Sequence, residues 1–314
     1  MHNIELLAPA RDLEELKVNI NNGADAVYIG GEVFGMKSQN KNFSNAEMIE
    51  GIEFAHEIER KVYVVVNIIP HNEDFVAVEM YLKRLEEIGV DAVIISDPGM
   101  LTIVKNTIPN MEIHLSDHAN TTNYVTAKFW HAQGIKRVVV SRELSCKEIG
   151  QIRSNTPLDM DIGAFIHGVM TISYSGRSLI SNYITGQNSE KEINKRSYNL
   201  VEEKRPGEYF PVYEDERGTF LFNSQDLCMI EYIPQLFKAG ITSFKIEGRM
   251  KDSKYIGEVV KAYRTAVDEF YKNPKEWQFN SRWLDELRKI SNRQFTSGFY
   301  LDNPSDENKN KNLN

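Results

Sequence analysis

The chain reads as an α/β protein, a TIM-like (β/α)8 barrel with a long insertion between strand seven and its helix, and three observations predict it. One unit recurs: an amphipathic segment, a Gly, then a short apolar strand. It runs Asn22-Gly23-Ala24-Asp25-Ala26-Val27-Tyr28-Ile29-Gly30 and returns at 88–96, at 133–141 and at 239–247. A Gly there suits a helix end, because it takes the left-handed backbone without a Cβ penalty. The strands are near-continuous Val/Ile runs, which signals burial on both faces, as in parallel sheets. Finally, the alternation yields eight strand–helix units, the count of a closed barrel. An open doubly wound sheet is the alternative, because periodicity does not prove closure.

In chain order, strands are expected near 4–8, 26–30, 62–69, 91–96, 112–116, 136–141, 159–166 and 242–247. Helices are expected at 12–22, 45–59, 74–88, 98–107, 121–133, 145–154, 226–239 and 253–272. Asp12 and Ser145 are placed as N-caps, and Pro98 suits a first helical turn. The regularity breaks at 168–225, the insertion. Within it Tyr209-Phe210-Pro211-Val212 and Thr219-Phe220-Leu221-Phe222 flank the turn segment 214–218 and read as a hairpin. Loops of this length inside a domain are usually functional or disordered. The barrel is thus assigned to 1–272, a C-terminal appendage to 273–302, and a polar tail expected to be disordered to 303–314.

Composition narrows the functions. Of 314 residues, 41% are hydrophobic and 26% charged, an ordinary balance for a globular enzyme. No apolar run approaches the roughly 20 residues of a membrane span. Two cysteines, Cys146 and Cys228, offer neither a disulfide framework nor a four-thiolate site, which points to a reducing, cytoplasmic setting. Net charge is −8. Proteins that grip nucleic acid through phosphates usually carry a basic surplus, so an RNA substrate would have to meet a local basic patch or a partner that supplies one.

In a barrel, side chains that follow the strands converge on one rim. That rule gathers Asn67 and His71, Ser96 and Asp97, His114, Ser116 and His118, Ser141, Arg142 and Glu143, His167, and Lys245, Glu247 and Arg249. The stretch Phe165 to Tyr183 is the richest, with His167, Tyr174, Arg177 and Asn182 directly after an apolar strand. His114 also fits a core imidazole, and Arg142-Glu143 also fits a rim ion pair. Together Arg142, Arg177 and Arg249 make a candidate clamp for carboxylate or phosphate, since guanidinium binds either bidentately. There is no HExxH helix, no Gly-x-Ser-x-Gly elbow and no CxxC.

The series His167-Gly168, Tyr174-Ser175-Gly176-Arg177, Ser181-Asn182-Tyr183, Arg205-Pro206-Gly207-Glu208-Tyr209, Asn223-Ser224-Gln225-Asp226-Leu227-Cys228 and Lys245-Ile246-Glu247-Gly248-Arg249 resembles peptidase family U32. That is the collagenase-like family of unassigned catalytic type, and the likeness runs from residue 4 to about 300. The family name implies a hydrolase. The branch most similar implies instead oxygen-independent tRNA wobble-uridine hydroxylation to 5-hydroxyuridine, with prephenate as co-substrate. The candidate catalytic residues are His167, Glu247 and Tyr174. Candidates for binding substrate are His114, Arg142, Glu143, Arg177, Asn182, Lys245 and Arg249.

Relatives in the family hold an iron–sulfur cluster on four cysteines. Here the matching positions are Thr171, Ser178 and one near Asn194, leaving Cys228. Thiolates are the rule for such irons, so no cluster and no metal are expected in this chain. The resemblance therefore implies a subunit that works with tRNA beside a cysteine-bearing paralogue. Its alternatives are a collagenase-like peptidase and a non-catalytic partner subunit.

Overall fold

The computed structural model describes residues 4–31, 33–34, 42–175, 180, 196–201, 203, 207, 209–215, 218–248 and 251–301; within these, the side chains of 172, 174, 196, 197, 215 and 222–224 are not described. The barrel strands are β1 (Glu5–Ala10), β2 (Ala26–Gly30), β3 (Lys61–Val65), β4 (Ala92–Ile95), β5 (Glu112–Leu115), β6 (Arg137–Val139), β7 (Asp161–Ser175) and β11 (Ser243–Ile246). They pair in parallel in that order, and β11 pairs with both β7 and β1. The sheet is closed, so the barrel holds and the open-sheet alternative falls.

The outer helices are α1 (Leu13–Asn21), α2 (Asn45–Glu57), α3 (Phe75–Glu87), α4 (Pro98–Thr107), α5 (Tyr124–Ala132), α6 (Cys146–Ser154), α7 (Ile233–Lys238) and α8 (Ser253–Lys272). Their starts follow from local chemistry. Asp12, Ser44, Asp97, Asn123, Ser145 and Asp252 each accept a hydrogen bond from a backbone N–H of the first turn, each such cap contributing about 1 kcal/mol. Ser44 with Glu47 and Ser145 with Glu148 complete capping boxes. The repeated glycines Gly23, Gly89, Gly134 and Gly240 all take positive φ where a helix turns into a strand.

Alternation within each strand divides the core. Leu7, Ala26, Tyr28, Tyr63, Val65, Ala92 and Ile94 face inward. Leu6, Ala8, Val27, Ile29, Val62, Val64, Val93 and Ile95 join the helices in an outer shell. The floor is ionic: Arg137 pairs with Glu5 at 2.5 Å, and Glu5 also accepts hydrogen bonds from Tyr63 (2.6 Å) and Ser243 (2.9 Å).

Two features depart from the expected layout. β7 does not stop at the rim. Past His167 it pairs antiparallel with β10 (Gly218–Cys228), which pairs in turn with β9 (Phe210–Asp215), and β9 with β8 (Arg196–Leu200). The expected hairpin is present as β9 and β10. Second, residues 226–228 are strand rather than helix. Asp226 and Leu227 pair with β7 on one side and with β12 (Phe295–Thr296) on the other, so helix begins only with a 3-10 turn at Ile230–Tyr232 that leads into α7. The appendage carries α9 (Ser281–Ile290), whose Leu284 and Leu287 are buried, and β12. The proposed tail at 303–314 lies outside the described residues.

Candidate functional site at the barrel rim

At the C-terminal end of the barrel a narrow well with a cavity volume of about 20 Å³ lies between Tyr28, Val65, Asn67, Ile94, Ser116, Asp117, His118, Arg142, Phe165, Thr171, Lys245 and Glu247. It opens into a wider mouth lined by Ile69, Ser96, Asp97, Asn120, Thr122, Ser141, Glu143 and Ser173. The strands supply its floor, and the loops after β3 to β6, with the outer part of β7, supply its wall.

Arg142 is the centre of the well. Its Nε donates to Asp117 Oδ2 at 2.9 Å, and one terminal nitrogen stands 3.7 Å from Glu247. Its guanidinium carbon lies 4.1 Å from the centroid of the Phe165 ring. Among the described residues the two terminal nitrogens make no hydrogen bond. Asp117 therefore aims the fork and leaves its outer edge for a ligand. Burial alone would raise the Asp117 pKa, but the Arg142 guanidinium, with His118 and Lys245, outweighs it and holds the carboxyl well below its ordinary range. Lys245 stands over Tyr28 at 4.4 Å and over Phe165 at 4.9 Å. Asn67 donates to Ser116 Oγ at 3.3 Å and faces His118 Nδ1 at 3.2 Å. Ser141 and Glu143 are hydrogen-bonded to each other at the mouth.

Of the expected residues, the structure thus brings Arg142, Glu143, Lys245 and Glu247 together. Arg177, Asn182, Arg249 and the side chain of Tyr174 lie outside the described residues. His114 is elsewhere. It sits level with Arg137 in the barrel, bonded to Glu112 at 2.8 Å and packed on Tyr63 at 4.6 Å, below the well.

His167 is also removed from the cavity. Its ring points out of the barrel toward α8, where Nε2 meets Tyr255 Oη at 2.9 Å and Tyr263 and Phe295 pack around it. The register slips between Lys245/Phe165 and Ile246/His167, and such a bulge turns the next side chain to the opposite face. Burial, with the nearby Lys251 charge, pushes the His167 pKa down to about 3. Burial and Arg137 push that of His114 in the same direction. A histidine held neutral in the fold stabilises it fully above pH 6.5 and loses that contribution as pH falls toward the folded pKa. His167 should therefore cost up to about 1.4 kcal/mol of stability per pH unit below 6.5, with His114 acting in the same direction. Urea unfolding at pH 7, 6 and 5 checks this: the slope should shrink in His167→Gln by up to about 1.4 kcal/mol per pH unit. An unchanged slope in that variant would remove His167 from the account.

Sequence reasoning missed Asp117, Tyr28 and Phe165. The signal for the two rings was available, because Ala26 and Tyr28 alternate to one face of β2, as Gly163 and Phe165 do in β7. Asp117 carried none, being one polar residue in a polar loop.

The residues present do not suit an iron–sulfur cluster. Thr171 offers a hydroxyl, and burial pushes the Cys228 thiol up to about 11, opposite to what a thiolate ligand requires. Among the described residues no three His, Cys, Asp or Glu side chains converge as a metal site would need.

Comparison with known proteins places the chain in a family. The chain is 38% identical over 307 residues to tRNA hydroxylation protein P1 of Bacillus subtilis, covering 96% of this chain and 72% of that one. It is 36% identical over 338 residues to tRNA hydroxylation protein P of Escherichia coli, covering 94% and 74%. To tRNA hydroxylation protein P2 of B. subtilis it is 33% identical over 303 residues, covering 95% of this chain and 97% of the relative. The family model for peptidase family U32 matches residues 11–310, and the chain belongs to that family.

Proposed function

We propose that this chain is a subunit of the machinery that hydroxylates the wobble uridine of tRNA, holding a small carboxylate co-substrate such as prephenate in the rim well. The observation that carries this reading is the aim of Arg142, which lines the well with Nε fixed by Asp117 and one terminal nitrogen 3.7 Å from Glu247. A guanidinium so presented binds a carboxylate through two parallel hydrogen bonds. The relatives' hydroxylation names supply the reaction class.

The mouth is acidic among the described residues, with Asp97, Asp117 and Glu143 against Arg142. Net charge is −8. Both features disfavour phosphates, so the cations that grip tRNA would come from a cysteine-bearing paralogous subunit, which would also bring any cluster chemistry. In this arrangement Arg142 and Lys245 bind the carboxylate and Glu247 shares the well as a proton-accepting group. Peptide hydrolysis is less well supported, because Ser116 Oγ donates to the Asp117 carboxylate rather than to an imidazole.

Arg142→Ala should reduce 5-hydroxyuridine in total tRNA at least tenfold, and Arg142→Lys, which keeps a cation beside the buried Asp117 carboxylate but loses the planar fork, should do the same at a smaller cost in stability. Nucleoside analysis of strains carrying only one or the other variant tests it. Wild-type levels would reject the reading, and gelatin cleavage by the purified chain would replace it.

A further inference from the structure

We propose that Lys245 captures carbonyl compounds, forming an imine with a 2-oxo acid whose carboxylate docks on Arg142. The proposal rests on the reading of the rim well as a carboxylate site and adds a covalent step to it.

Lys245 lies near the end of β11, the strand that closes the barrel, with 4% of its surface exposed, and it lines the well. Its Nζ is fixed against the rings of Tyr28 and Phe165. Arg142 lies against the same Phe165 ring. Amine and guanidinium thus both lie against the Phe165 ring and line one narrow well. Lys245 becomes a nucleophile once its ammonium has passed a proton to a carboxylate of the same well. Glu247, two residues further along the chain and just past the strand, lines the same well and can take up and return the proton.

The step balances without a further reagent. The neutral amine adds to the carbonyl carbon of the 2-oxo acid, giving a carbinolamine. Its hydroxyl leaves as water, taking a proton, and a C=N bond replaces C=O. The imine withdraws electrons from the carbon next to it, so the bound acid becomes easier to rearrange or decarboxylate.

Reductive trapping tests this on the full chain. Purified protein is incubated with pyruvate and cyanoborohydride, digested and mapped by mass spectrometry. The expected result is a reduced pyruvyl adduct on Lys245 forming about tenfold or more faster than on an exposed lysine such as Lys254. It should be lost in Lys245→Arg and slowed about tenfold in Arg142→Ala. Malonate, a carboxylate without a ketone, should protect Lys245 in the unaltered protein, a readout that needs no variant to fold. Labelling spread evenly over surface lysines overturns the proposal. So does malonate binding with no trapping at Lys245, which leaves the carboxylate site standing. Conversely, trapping at Lys245 together with undiminished 5-hydroxyuridine in Arg142→Ala cells supports the imine and rejects the hydroxylation reading.

Discussion

Gly168→Ala is expected to destabilise the protein by about 2–4 kcal/mol and to abolish function at the rim well. Gly168 takes φ +109°, where an L side chain is strained. A Cβ built there would also overlap the carbonyl oxygen of Glu247 and crowd its Cβ. The contact is tight because β7 and β11 are still paired at this level, with Glu247 N donating to His167 O at 2.8 Å. Either β7 moves, carrying Thr171 and the ribbon with it, or Glu247 leaves its place beside Arg142. Gly207 provides the control. Its φ is +90°, yet nothing lies within 4 Å of its built Cβ, so Gly207→Ala should show the backbone cost alone, about 1 kcal/mol. Urea midpoints of the two variants, read with tRNA nucleoside content, decide it. Equal effects at the two glycines would show that the approach to Glu247 carries no weight.

Much of this architecture was readable from residues alone, for physical reasons. Apolar runs ending in Gly mark strands buried on both faces, and Asp12, Pro98 and Ser145 mark helix starts by side-chain chemistry that acts within a few residues. Arg142, Glu143, Lys245 and Glu247 were found because a parallel barrel delivers whatever follows its strands to one rim. The misplacements share one cause: each depends on a partner strand, which the local sequence does not reveal. His114 lies level with Arg137 because neighbouring strands are staggered, and no local pattern records that stagger. His167 would share the inward face of Gly163 and Phe165 if strict alternation held. The slip in pairing with β11 turns it outward, and that slip depends on the partner strand. The same holds for residues 226–228, whose helical appearance yields to pairing with β7 and β12.

Asp226→Asn is expected to cost about 3–5 kcal/mol, although it removes no atom from the core. Asp226 is fully buried, with Lys251 Nζ at 2.7 Å from one carboxylate oxygen and Arg293 Nε at 2.8 Å from the other. These contacts are close but poorly angled as hydrogen bonds, so charge holds the cluster more than directionality does. The carboxylate joins three segments that are distant in sequence: the end of β10, the turn after β11 and the appendage. Lys251 N donates to Gly248 O at 2.9 Å, so the turn that follows Glu247 is held by the same latch. Lys251 also stands over the Tyr255 ring, which is bonded to His167. An amide in place of the carboxylate leaves two cations facing each other with little water to screen them, and the penalty is that of an uncompensated buried charge. Adding Lys251→Met to Asp226→Asn should therefore recover part of the loss, whereas Lys251→Met alone should be destabilising. A double-mutant cycle by urea unfolding measures this coupling. If Asp226→Asn changed stability by less than about 0.5 kcal/mol, the range of ordinary surface substitutions, the latch would be decorative and the position of Glu247 would need another cause.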